Sequence, residues 1–79
     1  MDLVKAIVKF DTQGNSKPVR FVHNDKVISV EQILSVTEEN LVGNRMKVFD
    51  CQSEIDGELK RYVLKYELAT GKWFLVAPG

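Results

Sequence analysis

A single cysteine in 79 residues leaves no intramolecular disulfide, whereas a secreted domain this small would ordinarily carry several. With one histidine beside that cysteine, a metal site would have to be completed by carboxylates, and no such set converges in the sequence. No cofactor is expected. Eleven basic and eleven acidic side chains cancel, so the basic excess that phosphate contacts ask of a dedicated nucleic-acid binder is missing. Long apolar runs are missing too. None approaches the length of a membrane span, and Met1-Asp2-Leu3-Val4-Lys5 lacks the apolar segment of a signal peptide. The expected compartment is the cytoplasm, with no membrane partner. Neither an internal repeat nor a low-complexity linker divides the chain, so residues 1–79 are read as one domain.

What is present is alternation. Tyr62, Leu64, Tyr66 and Leu68 fall at every second position, with Lys60 heading the row, and share one face of an extended chain. Ala69-Thr70-Gly71 interrupts, and Lys72-Trp73-Phe74-Leu75-Val76 returns with a second aromatic block. Two such runs around a short Gly-containing connection predict a hairpin over Leu59–Val76, and its aromatics are expected to form the main wall of the core. Leu3–Phe10 predicts a strand with Val4, Ala6, Val8 and Phe10 inward. Asp11–Lys17 is a loop rich in turn formers, and Pro18 opens a second strand, where its missing N–H does least harm. Asn24-Asp25 is the next turn. Arg45–Ser53 reads as a strand with Met46 and Val48 on one side and Phe49 and Cys51 on the other. Ile55-Asp56-Gly57 then turns into the closing hairpin.

Residues 27–42 carry conflicting signals. Ser29-Val30-Glu31-Gln32 fits a capping box, and Val30, Ile33, Leu34 and Leu41 approximate a helical stripe ending near Gly43. Ile28, Val30, Gln32, Leu34 and Val36 alternate instead, and the β-branched residues here lose rotamer freedom in a helix. The favoured reading is one strand to about Val36 and a turn over Thr37–Asn40; a short helix within 30–41 is the competing one. The fold class expected is mainly β: a small antiparallel barrel or strongly bent sheet of five to six strands, SH3-like in size.

Residues 18–36, from Pro18 through Phe21, the polar turn at Asn24-Asp25 and the Ile33-Leu34 pair, resemble the opening of a group of small bacterial β-barrel domains of unassigned function. Residues 62–76, an aromatic strand, a Gly turn and a Trp strand, are similar to their ending. His23 and Asp25 stand where those domains tend to have Trp and Gly. The resemblance implies a fold and no activity.

Chemistry-bearing residues are few. Cys51 and His23 are the only thiol and imidazole, and no spacing pairs them as nucleophile and base; Cys51 reads as a core residue. Glu38-Glu39 reads as a solvated turn, and no Gly-rich phosphate loop is present. The expectation is a non-enzymatic module that binds another protein, with a homodimer as one form. Apolar residues exceed what one small barrel can enclose, and Leu3, Ile7 and Val63 are the candidate interface. The alternative is weak nucleic-acid binding through Arg45, Lys47, Arg61 and Lys65, gathered on an outer strand face.

Overall fold

The computed structural model of the chain describes residues 1–76. Its strands are β1 (Asp2–Phe10), β2 (Ser16–His23), β3 (Lys26–Ser29), β4 (Gln32–Leu41), β5 (Asn44–Ile55), β6 (Glu58–Glu67) and β7 (Trp73–Val76). They lie in one sheet in the order β3-β2-β1-β7-β6-β5-β4, and every neighbouring pair is antiparallel. The sheet curls into a half-barrel around Val4, Phe21, Phe49, Cys51, Tyr62, Leu64 and Trp73. Phe49 and Trp73 pack with ring centroids 5.4 Å apart, and Trp73 lies 4.9 Å from Tyr66.

Strand parity explains the opening. Stepping from β1 through β2, β3 runs with β1; stepping the other way through β7, β6 and β5, β4 also runs with β1. Strands β3 and β4 are therefore two segments of one path that bends at Val30-Glu31 and changes neighbour, from β2 to β5. They cannot form an antiparallel pair with each other.

The bend is held by Ser53 of β5, which is fully buried. Its Oγ donates to the Ser29 carbonyl at 2.7 Å and accepts the Glu31 N–H at 3.1 Å. The Tyr62 hydroxyl lies 2.7 Å away and supplies the remaining proton. One donor and two lone pairs are thus all matched. The Glu31 carboxylate accepts the Glu54 N–H at 2.6 Å, and Val30 N–H reaches the Val19 carbonyl at 2.8 Å.

Seven strands are present where five to six are expected, and residues 32–41 are strand rather than the competing helix. Pairing decides the matter: Ile33, Val36 and Thr37 lie opposite Cys51, Phe49 and Val48, where branched side chains fit a pleated surface. The expected strand to Val36 divides at Val30-Glu31. The turn expected over Thr37–Asn40 is ladder instead, because Glu38 and Glu39 find cationic partners: Arg45 at 3.1 Å and Lys65 at 3.0 Å. The chain turns at Val42-Gly43. Phe10 is exposed rather than inward, and Leu68 lies in the β6–β7 turn, not in the strand. A bulge at Val19 adjoins Pro18, where the ladder already lacks a donor.

Three hairpins use two-residue turns with positive φ at both positions: Asn24-Asp25, Val42-Gly43 and Asp56-Gly57. Asn and Asp tolerate that region, but a β-branched residue crowds its own carbonyl there. Val42, at φ 52°, carries this strain with its side chain wholly in solvent.

Replacing Val42 with Asn is expected to stabilise the protein by about 1 kcal/mol, read as a higher urea midpoint with an unchanged slope. Ser53→Ala leaves a carbonyl, an N–H and a phenol without their partner and should cost about 2–3 kcal/mol, whereas Tyr62→Phe removes one bond and should cost about 1 kcal/mol. Urea unfolding of both variants checks the ranking.

Candidate functional site

Alternation sorts the side chains into a concave, core-facing set and a convex, outer set. On the convex face Leu3 of β1 lies opposite Phe74 of β7, and Val76 of β7 lies opposite Val63 of β6. Leu3 is 63% exposed, and Val63, Phe74 and Val76 are half-buried. These four make a continuous apolar patch outside the core cluster. Ile7 shares the convex side but falls elsewhere. It is four residues along β1 from Leu3, about 13 Å at strand rise, with Lys5 between them. It borders a hollow with Val22 and Val27, themselves cross-strand partners. The structure thus brings Leu3 and Val63 into one patch and puts Ile7 in another.

Phe74 and Val76 are the members that the sequence reading missed. Taking Trp73–Val76 as a single core-facing block hid the alternation, in which Trp73 and Leu75 face in and Phe74 and Val76 face out. Met46 was also deceptive: it is buried, yet it lies outside the core cluster. It shares the convex row with Val48, where neighbouring side chains cover it.

The four cations do not form one strip. Lys65 pairs with Val48 and Arg61 with Gln52, which places Arg61 and Lys65 on the convex face with Val63. Arg45 and Lys47 alternate with Phe49 and belong to the opposite row. A one-residue difference in parity separates them, a quantity that only the register fixes. Three of the four are also held by acids: Arg45 by Glu38 at 3.1 Å, Arg61 by Asp50 at 3.0 Å and Lys65 by Glu39 at 3.0 Å.

One end of the barrel, where the β2–β3 and β5–β6 turns meet, opens into a pocket of about 470 Å³. Phe21, Ile28, Ile55, Tyr62 and Leu75 line it. At its rim Lys26 pairs with Asp56, and His23 Nε2 lies 3.1 Å from Asp2. Lys26 lowers the Asp56 carboxyl below its ordinary range by hydrogen bonding and by charge.

Cys51 and His23 have separate partners. The Cys51 thiol donates to the Phe49 carbonyl at 3.5 Å, while His23 bonds Asp2. Burial, with the Asp50 charge adding, pushes the Cys51 thiol from 9.0 up to about 12. Burial likewise holds the Tyr62 phenol above its ordinary 10.0, against the lowering effect of the Ser53 hydrogen bond. Among the described residues no group of three or more His, Cys, Asp or Glu is arranged to hold a metal ion.

Comparison with protein-family models, with curated proteins and with solved structures finds no match to this chain.

Because the fold favours the protonated thiol and phenol, their contribution is complete below about pH 9. It is lost as pH rises from the unfolded thiol's value towards about 12. The urea midpoint is expected to fall above pH 9, and Cys51→Ala should flatten that fall. At neutral pH, alkylation of Cys51 should proceed only at the rate of global unfolding; rapid labelling of native protein would contradict the assignment of a buried, unreactive thiol.

Proposed function

We propose that this chain is a non-enzymatic module that binds another protein, a second copy of itself included. The observation that carries this reading is the convex patch of Leu3, Phe74, Val63 and Val76, which lies outside the core cluster, with Leu3 exposed and the other three half-buried. Burying such a patch against a partner is favourable in proportion to its apolar area. Two cations beside it, Arg61 and Lys65, are engaged by Asp50 and Glu39, which weighs against phosphate binding through them. The absence of a thiol–imidazole contact and the raised thiol pKa support a binding role over a catalytic one.

Solution mass across a dilution series, with and without a short single-stranded oligonucleotide, tests the proposal. The expected result is a concentration-dependent dimer that is insensitive to salt and to the oligonucleotide and that is abolished by Leu3→Lys combined with Val63→Lys. A monomer whose mass rises with oligonucleotide only at low salt would replace this reading with the electrostatic one.

A further inference from the structure

The charges that cancel over the whole chain do not cancel over each part of the sheet. Residues 1–29, which hold β1–β3, carry five basic and three acidic side chains, and residues 30–79 carry six and eight. At the barrel mouth Asp2 meets His23 and Lys26 meets Asp56. The other cations of the first part are Lys5, Lys9, Lys17 and Arg20. None of these four makes an ion pair among the described residues.

On the convex side of β1–β3 the register sets two cross-strand rows, Lys5–Val22–Val27 and Ile7–Arg20–Ser29. Each cation therefore has an aliphatic neighbour, and every member of both rows is exposed. No carboxylate occupies either row or lines the hollow beside Ile7, Val22 and Val27. Lys9 and Lys17 are the cross-strand pair at the other end of the β1–β2 ladder, where like charges repel. Asp11, in the turn beyond them, accepts the N–H groups of Asn15 and Gln13, both at 2.9 Å, and feels the charge of Lys17. Counting Asp11 and Asp25, in the turns that flank β2, against the four cations still leaves a positive excess of two.

We infer that the convex face of β1–β3 rests on the surface of an anionic lipid bilayer, with Lys5 and Arg20 at the headgroup phosphates and Ile7, Val22 and Val27 at the boundary with the acyl chains. Two attractions add there. Each cation near an anionic leaflet is drawn to it, and burial of the aliphatic side chains contributes a share that salt does not screen. Single-stranded nucleic acid would use the same cations but asks for aromatic platforms between them, and the side chains between Lys5 and Arg20 are aliphatic. The absence of a membrane partner expected from run length concerns spanning segments. A strand face shows every second residue and makes no run. Lys5 separates this face from the patch at Leu3, so the inference does not rest on self-association.

Co-sedimentation of the full-length chain with vesicles tests it, using phosphatidylcholine alone and equal parts of phosphatidylcholine and phosphatidylglycerol. Binding is expected to the anionic vesicles only, and it should weaken at high salt. Lys5→Gln with Arg20→Gln should weaken it about thirtyfold. Ile7→Thr with Val27→Thr, which leaves the charge unchanged and keeps the branched shape a strand favours, should weaken it about fivefold. All four positions are exposed, and circular dichroism checks that each variant keeps its sheet. Leu3→Lys with Val63→Lys, which breaks the proposed dimer, should not weaken vesicle binding. Equal binding to neutral and anionic vesicles, no binding to either, or undiminished binding of the Lys5→Gln, Arg20→Gln variant would overturn the inference. Displacement from the vesicles by an oligonucleotide or by poly-glutamate at equal charge would also overturn it, in favour of nucleic acid or an acidic protein.

Discussion

The hydroxyl of Ser53 is the point on which the curl of this half-barrel depends. A sheet in which every neighbour is antiparallel and the strands number seven cannot close on itself, because the two ends run in the same direction. The chain meets this constraint by bending one strand path across the gap at Val30-Glu31. A bend exposes backbone groups that no ladder pairs, and at this site one buried hydroxyl pairs with both the Ser29 carbonyl and the Glu31 N–H. Tyr62 completes the set. Its ring, 5.4 Å from that of Phe21, ties the polar junction to the apolar core. Hydrogen bonds and packing converge on the same few atoms, so the bend has one geometry.

Most of the strand pattern was legible because it rests on local alternation. The inward row of Tyr62, Leu64 and Tyr66, the turn at Asn24-Asp25 and the hairpin around Gly71 follow from residue types alone. The bend at 30–31 did not. The residues that hold it are a serine and a tyrosine from β5 and β6, more than twenty positions away, and the local signals in Ser29–Gln32 also suit a helix start. The turn that Gly43-Asn44 marks in the sequence falls one residue earlier, at Val42-Gly43, because valine at positive φ contradicts its own propensity. Residues that look like a turn, Glu38 and Glu39, are strand because cations on β5 and β6 neutralise them.

The candidate surfaces divide along the same line. Leu3 and Val63 were accessible as apolar surplus, a matter of composition. Whether Arg45 and Lys47 share a face with Arg61 and Lys65 is a question of register, and register is set between strands. Arg61–Asp50 and Lys65–Glu39 pair on the convex face and Arg45–Glu38 on the opposite one. Composition alone cannot distinguish a balanced surface from one whose balance is local in one place and absent in another.

Among the described residues the ladder between β1 and β7 has three residue pairs, against ten between β5 and β6. It joins two meanders, β1–β2–β3 and β4–β5–β6–β7, each made of hairpins between successive strands, which also meet through the core, the Lys26–Asp56 pair and the Ser53 junction. Each meander is assembled from contacts short in sequence, and the contact between the first strand and the last is the one that spans the whole chain. That contact closes the longest loop in the fold, and closing it costs more conformational entropy than closing any single hairpin.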